Sequence, residues 1–190
     1  MSHAEAAGCQ RSPTIGYFTV IENAHFGWTG GILILNAGGR PLEFRCTLPL
    51  RTNRSQEILY GATLRSHIIA ETIAPTLRQA CKTPIGLLCC QQVEAMKATS
   101  LATGNKGFAD TIAALVVSVA EDDQGPITKE RLPGHRPVTL LDSSLLVPSQ
   151  HVEDTQELVR ELTDLPDALE PFDRINEAIR EAQTQIAKAA

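Results

Sequence analysis

Residues 17–82 of the chain read YFTVIENAHFGWTGGILILNAGGRPLEFRCTLPLRTNRSQEILYGATLRSHIIAETIAPTLRQACK. The segment contains three short apolar or alternating runs separated by glycine-containing turns, followed by a long stretch whose apolar residues recur every four positions. Short runs of this kind are typical of strands, whereas a spacing of four is typical of a helix. The stretch therefore predicts three strands followed by one long helix, and this order of elements is the basis for the fold.

The first three strands are predicted over residues 15–22, 32–36 and 42–48. Glycines in residues 27–31 predict a loop before the second strand, because glycine adopts backbone angles that other residues avoid. Gly-Gly at residues 38–39 predicts a tight hairpin between the second and third strands. The third strand alternates apolar and polar residues, so we expect the face with Glu43, Arg45 and Thr47 to meet water.

The helix is expected to begin at Asn53, which with Gln56 forms a capping-box pattern, and Pro75 should kink or divide it. An all-apolar run at residues 84–90 predicts a fourth strand that could be central and parallel. A short helix is expected from residue 93 to 98 and a last short strand from residue 138 to 141. Residues 100–107 and 121–137 are expected to be loops, and residues 108–120 fit either a helix or a strand.

The chain has 190 residues, of which 43% are hydrophobic, which is enough for one sizeable core. Its formal net charge is −5, divided between +3 in residues 1–120 and −8 in residues 121–190. We expect residues 1–14 to be a disordered leader, residues 15–150 an α/β domain, and residues 151–190 a helical segment. No signal peptide or apolar run of about 20 residues is present, which predicts a cytoplasmic protein.

The last helical segment carries an apolar stripe at spacings of three and four, interrupted by Pro166 and Pro171. Such a stripe packs either on its own domain or on another subunit. The interaction hypothesis names the residues of a short heptad pattern: Phe172, Ile175, Ile179, Ala182 and Ile186.

Five cysteines occur without a CxxC pair, which favours buried thiols in a reducing compartment. Four arginines lie within 15 residues: Arg40, Arg45, Arg51 and Arg54. They suggest an anion site beside a helix N-terminus, but the favoured interpretation is a solvated face that pairs with acidic residues. His25 and Trp28 in the glycine loop are expected to make structural contacts, because no second histidine lies at metal-ligand spacing.

The order of three strands, helix, strand and helix resembles the ribonuclease H-like fold. The glycine-rich residues 27–31, the glycine turn at 38–39 and the Asn-Arg-x-x-Glu entry at residues 53–57 are similar to that family over about residues 17–95. The resemblance implies a nuclease whose carboxylates hold two divalent metal ions such as Mg²⁺. The carboxylates are expected in the first strand, at the start of the first helix and at the end of the fourth strand.

This chain departs from that carboxylate pattern. Only Glu57 matches, because Thr19 and Val20 stand in the first strand and Gln91-Gln92 end the fourth. Alternative catalytic acids are displaced in sequence from the expected places: Glu22 and Glu94, together with Glu57. A profilin-like or longin-like sandwich has a similar order of elements, and the direction of the fourth strand would separate the two folds.

These observations lead to two function hypotheses. The first is a non-catalytic interaction or adaptor subunit that associates through the C-terminal helices, without metal or cofactor. The alternative is a ribonuclease H-like, Mg²⁺-dependent nuclease or its degenerate nucleic-acid-binding relative. The partner, the substrate and the role of the cysteines do not follow from the sequence.

Overall fold

A computed structural model describes residues 13–100, 111–118, 132–162, 164–165 and 167–189 of the chain. Within these residues, seven strands form one mixed sheet in the order β3-β2-β1-β4-β5-β7-β6. The strands are β1 (Thr14–Asn23), β2 (Gly27–Asn36), β3 (Pro41–Cys46), β4 (Leu87–Cys90), β5 (Ile112–Ser118), β6 (His135–Leu140) and β7 (Ser143–Pro148).

Five helices accompany the sheet in the described part of the chain, besides two short 3₁₀ turns, Gly61–Thr63 and Ser149–His151. They are α1 (Arg54–Tyr60), α2, α3 (Val93–Ser100), α4 (Val152–Glu161) and α5 (Glu170–Ala189). The helix α2 consists of α-helical Leu64–Ser66 and Ala74–Ala80 on either side of a π-helical turn, His67–Ile73. Pro75 lies in the first turn of Ala74–Ala80, a position that proline tolerates, so it does not divide the helix. The wider π-helical turn, His67–Ile73, lies before Pro75. None of the described helices combines the length and the apolar character that crossing a bilayer requires.

The expected fold is confirmed by the direction of the strands. The first three strands form an antiparallel meander, whereas β4 runs parallel to β1, with Tyr17 opposite Cys89. A parallel neighbour requires a crossover connection, which α1 and α2 supply. This arrangement is the mixed sheet expected for a ribonuclease H-like domain, and it excludes the profilin-like alternative.

Helices cover both faces of the sheet. Tyr17, Leu33 and Cys89 lie on the face that packs against α5, and Phe172 of that helix meets Tyr17 edge-on with ring centroids 5.1 Å apart. Phe18 and neighbouring residues lie on the opposite face, against α2 and α3. Adjacent residues of β1 and β4 point to opposite faces, which explains why both Cys89 and Cys90 are buried although they are neighbours.

The glycine loop expected before the second strand is partly wrong, because β2 already begins at Gly27. Gly30 and Gly31 are strand residues that lie beneath helices on opposite faces. A Cβ on Gly30 would overlap Ile73 of α2, and a Cβ on Gly31 would lie 2.5 Å from Ile175 of α5. The glycines therefore permit close approach of two helices and do not form a loop.

The faces of β3 are the reverse of those expected. The Glu43 side chain is only 9% exposed and accepts hydrogen bonds from the backbone N–H groups of Lys82 and Thr83, at the end of α2. Leu42 and Phe44, on the face covered by α5 elsewhere in the sheet, are exposed. The helix α5 packs over β1 and β2 and leaves the edge strand uncovered.

The C-terminal half of the chain differs in detail from the expectation. The ambiguous residues 108–120 contain strand β5, and β6 and β7 form a hairpin where only one short strand was expected. The expected leader and much of the expected loops (residues 1–12, 101–110 and 119–131), as well as Pro166, lie outside the described residues.

Candidate functional site

Polar side chains meet where the parallel strands β1 and β4 reach their carboxyl ends. In α/β sheets, ligands bind in the crevice at this edge, between neighbouring strands. Thr19 of β1 lies beside Gln91 and Gln92, which directly follow β4. This is the position at which the ribonuclease H-like resemblance implies metal-binding carboxylates.

Four hydrogen bonds join these residues. The Thr19 hydroxyl donates to Oε1 of Gln91 at 2.6 Å, and Nε2 of Gln92 donates to the Thr19 hydroxyl oxygen at 3.3 Å. Gln92 also accepts from the backbone N–H of Val20 at 3.1 Å and donates to the Val20 carbonyl at 3.3 Å. The two glutamines thus continue the pairing of β1 with β4 beyond the last strand residue. We call Thr19, Gln91 and Gln92 the amide cluster.

The amide cluster does not fit a two-metal centre. Hydroxyl and amide oxygens are neutral ligands, and two divalent ions require converging carboxylates to offset their charge. Among the described residues, no group of three or more histidine, cysteine, aspartate or glutamate side chains is arranged to hold a metal ion. No step of metal-dependent hydrolysis can therefore be assigned to these side chains.

The alternative acids Glu22 and Glu94 are brought together by an arginine. Arg65 of α2 bonds Oε1 of Glu94 through Nε at 2.9 Å, and its Nη1 lies 4.0 Å from Oε2 of Glu22. Its guanidinium carbon also lies 5.5 Å from the centroid of the Trp28 ring, within cation–π distance. Sequence reasoning missed Arg65, because only the packing of α2 against the start of β2 places it between two acids that are 72 residues apart.

Glu57, the acid that matches the resemblance, is not joined to this group. Its carboxylate lies 3.2 Å from Arg54 and 3.5 Å from the Thr52 hydroxyl. The helix α1 that carries it has no buried residue, although the predicted capping box of Asn53 and Gln56 is present. Of the three alternative acids, the structure thus gathers Glu22 and Glu94 around Arg65 and leaves Glu57 on a separate exposed helix.

The four arginines predicted as an anion site do not converge. Arg40 lies in the turn after β2, whereas Arg51 lies at the opposite end of β3, and six residues of strand separate the ends by about 20 Å. Arg45 binds Glu43 at 2.8 Å on the face toward α2. Arg51 donates to the His25 carbonyl at 2.7 Å and so lies beside the carboxyl end of β1. Arg51 therefore lies at the edge of the candidate site, and Arg54 is close to it in sequence. Arg40 and Arg45 lie elsewhere.

The apolar stripe proposed for a partner mostly serves the core of this chain. Phe172, Ile175 and Ile179 are 0–1% exposed and pack against the sheet. Of the five stripe residues, only Ala182, which is half-buried, and Ile186, which is 40% exposed, remain accessible to solvent. The interaction hypothesis for this stripe is corrected accordingly, because its central residues are already covered by β1 and β2.

The cysteines offer no activated nucleophile in the described part of the chain. Burial raises the pKa of Cys81 to about 11 and that of Cys90 to about 12, and it raises the pKa of Cys89 well above its usual value. A nucleophilic cysteine requires the thiolate, which these environments disfavour. Cys46 is exposed, and Cys9 lies outside the described residues.

A partly exposed aromatic pair lies where α1 gives way to α2. The Tyr60 and His67 rings stack with centroids 4.3 Å apart and planes inclined by 22°. Tyr60 remains 37% exposed, and its neighbour Leu59 is almost fully exposed. Arg65 lies between the two members of this pair in sequence, so Tyr60, Arg65 and His67 belong to one stretch of eight residues.

Comparison with solved structures finds two crystal structures of endonuclease V from Ciona intestinalis. One holds a variant, with an aspartate replaced by asparagine, on a 23mer DNA containing an inosine followed by a ribo-adenosine. It is 13% identical, covers 91% of this chain and 86% of that chain, and has a TM-score of 0.50. The other, with a 24mer DNA, is 14% identical over 92% of this chain and 87% of that chain, with a TM-score of 0.43.

No family model and no curated protein matches the chain. The first structural likeness shows the fold, a ribonuclease H-like sheet over nearly the whole length. This likeness to a DNA-bound nuclease contradicts the first function hypothesis, a non-catalytic adaptor subunit. It favours the alternative, a ribonuclease H-like nuclease or its degenerate nucleic-acid-binding relative. The chain is therefore similar in fold to a DNA-bound nuclease, while the amide cluster stands where that fold is expected to carry carboxylates.

Proposed function

We propose that this protein is a degenerate ribonuclease H-like protein that binds nucleic acid and does not cleave it by two-metal catalysis. The observation that carries the proposal is the amide cluster at the carboxyl ends of β1 and β4, within a fold similar to that of a DNA-bound endonuclease. The cluster keeps the site polar but supplies no charge for divalent ions.

The charged side chains at the same edge support binding to phosphates. Arg51 is held against the β1–β2 loop by its bond to the His25 carbonyl, and Arg54 has a largely exposed side chain. Arginine donors contact phosphate oxygens on any sequence, and such contacts supply most non-specific affinity. The partly exposed Tyr60–His67 pair adds an aromatic surface on which an unpaired base can stack.

The loss of a carboxylate is compatible with binding on this fold. The endonuclease V structure with the higher TM-score holds DNA in a variant in which an asparagine replaces an aspartate. An amide and a carboxylate have nearly the same shape, so the exchange removes charge while keeping hydrogen-bonding capacity. By this proposal, the chain keeps the binding surface and lacks the catalytic metal ions, and we expect no cofactor.

Binding is tested by fluorescence anisotropy at low salt with single-stranded DNA, duplex DNA, an RNA–DNA hybrid and DNA containing an inosine followed by a ribo-adenosine. We expect the Arg51→Ala/Arg54→Ala variant to lose most of its affinity and to show a shallower salt dependence. Arg40→Ala/Arg136→Ala is the matched control, because it also removes two positive charges, one at the far end of the β2–β3 hairpin and one on the opposite edge strand, β6. No binding by the intact protein, or equal losses in both variants, would contradict the proposal.

Cleavage is tested with the same substrates in Mg²⁺ or Mn²⁺, and we expect all of them to remain intact. A nuclease, the second candidate, is favoured only by Glu57 at the expected start of the first helix. Cleavage that disappears in Glu57→Gln would establish that second function and overturn the first. The variant alters an exposed carboxylate, so the fold should survive and can be checked by circular dichroism.

A further inference from the structure

The two edges of the sheet differ in how they are protected against pairing. At one edge, β6 contains Pro137, which cannot donate a backbone hydrogen bond. At the other edge, β3 carries no proline after its first residue, and no described strand pairs with its outer side. An unprotected edge of this kind is a template for a further strand.

The outer side of β3 presents backbone groups in a regular pattern. The Thr47 N–H donates to the Gly30 carbonyl, so the alternation of an antiparallel ladder directs the backbone groups of Glu43 and Arg45 toward β2 as well. The backbone groups of Leu42, Phe44 and Cys46 are then directed outward. A second strand can therefore bond β3 through these three residues.

The same three residues expose apolar side chains on the α5 face of the sheet. Leu42 is 49% exposed, Phe44 is 37% exposed and Cys46 is exposed. A groove with an accessible volume of about 380 Å³ separates this face from α5, and its rim includes Leu48 and Ile186, both of which are exposed. Apolar surface thus continues from the strand to the end of the helix.

The sequence of β3 is complementary to itself in one antiparallel register. With Phe44 opposite Phe44 of a second copy, Glu43 faces Arg45 of the other strand twice, and Leu42 faces Cys46 twice. Opposite charges on directly paired residues stabilise a sheet, whereas like charges destabilise it. The register also pairs the residues whose backbone groups point outward, so charge, apolar face and hydrogen-bond pattern agree.

We propose that a second copy of this chain pairs with β3, in an antiparallel two-fold dimer centred on Phe44. The two sheets join into one continuous sheet of twice the width, and the exposed apolar residues of both strands lie side by side on one face. A two-fold arrangement is closed, because both copies use the same edge, β3, and pair it completely, so the assembly stops at two. The proposal is independent of nucleic-acid binding.

Light scattering of the full chain tests the assembly, and we expect twice the mass of one chain. Phe44→Lys places a like charge at the two-fold axis, and Arg45→Glu places Glu43 opposite a second acid, so both variants should be monomers. Arg54→Glu, the same charge change on exposed α1, should remain a dimer. A monomeric intact protein, a larger open assembly, or dimers in all three variants would overturn the proposal.

Disulfide formation tests the register without depending on any destabilising variant. In Leu42→Cys, mild oxidation should link position 42 of one copy to Cys46 of the other, as seen by peptide mass spectrometry. The two positions in a single strand are about 13 Å apart, beyond the reach of a disulfide, so this link can form only between copies. In Leu48→Cys, position 48 faces Arg40 in this register and should give no such link to Cys46. Absence of the 42–46 link in a dimer would reject the register.

Discussion

The Thr19 hydroxyl donates a 2.6 Å hydrogen bond to the side-chain oxygen of Gln91, and this bond joins two parallel strands at the edge where a ribonuclease H-like enzyme is expected to carry carboxylates. Two carboxylates at this distance would repel each other unless a cation or a shared proton lay between them. A hydroxyl and an amide instead attract each other directly. The site is thus held together by its own side chains.

Removing this hydroxyl should destabilise the protein. Thr19 is 1% exposed, so Thr19→Val leaves the Gln91 oxygen without this donor and removes an acceptor from Gln92. We expect the free energy of unfolding in urea to fall by about 1 to 2 kcal/mol. Thr184→Val on the exposed side of α5 is the matched control, with an expected change within about 0.5 kcal/mol. Equal effects of the two substitutions would show that the cluster contributes nothing to stability.

Gly30 should not tolerate a methyl group beneath α2. Gly30→Ala is expected to lower the free energy of unfolding by about 1 to 3 kcal/mol, because its Cβ would overlap Ile73 in a packed core. In the double variant with Ile73→Ala, the added methyl occupies part of the vacated space, so the double variant should lose less free energy of unfolding than the two single variants lose in sum. Gly38→Ala, whose nearest contact would lie 3.6 Å away, serves as the control. Simple additivity of Gly30→Ala and Ile73→Ala would exclude the proposed overlap.

The stability of the β3 edge should depend on pH through Glu43. Burial alone would raise the pKa of this carboxyl, but hydrogen bonds from Thr83, Arg45 and Lys82 lower it from 4.5 to about 2. Because the folded pKa lies below the unfolded one, the stabilisation is present above pH 4.5 and is lost as the pH falls toward 2. Glu43→Gln should therefore be most destabilising at neutral pH and progressively less so in acid. The difference is measured by urea unfolding at several pH values, and a difference that does not change with pH would contradict this account.

Tyr17 should be more stable as phenylalanine. Its ring is fully buried against Phe172, but its hydroxyl is buried without a hydrogen-bond partner among the described residues. Burial raises the pKa of Tyr17, so the hydroxyl stays protonated and its donor is left unpaired. Tyr17→Phe is expected to raise the thermal midpoint, with a gain of about 1 kcal/mol. Phe172→Ala is the contrasting change and should cost about 3 to 5 kcal/mol by opening a cavity. A lower midpoint for Tyr17→Phe would mean that the hydroxyl has a favourable contact.

Local sequence signals predicted the meander, the Asn53 cap and the position of the fourth strand correctly, because turn glycines, the cap and an unbroken apolar run act within a few residues. They left the direction of the fourth strand open, and the single long helix expected after Asn53 is wrong, because the capped helix ends at Tyr60 before Gly61. The start of β2 could not be predicted in this way. Gly30 and Gly31 look like loop residues until Ile73 and Ile175 are known to approach from opposite faces. Both isoleucines lie more than 40 residues away in the chain, so local sequence patterns do not reveal their contacts with the glycines.

The candidate site was predicted only in part for the same reason. Gln91 and Gln92 could be placed at the end of the fourth strand from their sequence order, and the ribonuclease H-like resemblance pointed to Thr19 within the first strand. Arg65 could not, because nothing in its own helix distinguishes it from other exposed arginines. The exposed apolar face of β3 was also missed, since alternation reveals two faces of a strand but not which of them a helix will cover.

The adjacent glycines of β2 have a consequence for synthesis of the chain. The helix that covers Gly30 leaves the ribosome soon after β2, whereas the helix that covers Gly31 follows about 140 residues later. At roughly 5 to 20 residues per second, one side of the new sheet stays bare for about 7 to 30 s. During that interval the nascent chain exposes an aliphatic surface to which chaperones or neighbouring chains can bind. The order of elements along the chain thus sets a period during synthesis in which this face of the sheet can aggregate, although the face is covered in the folded protein.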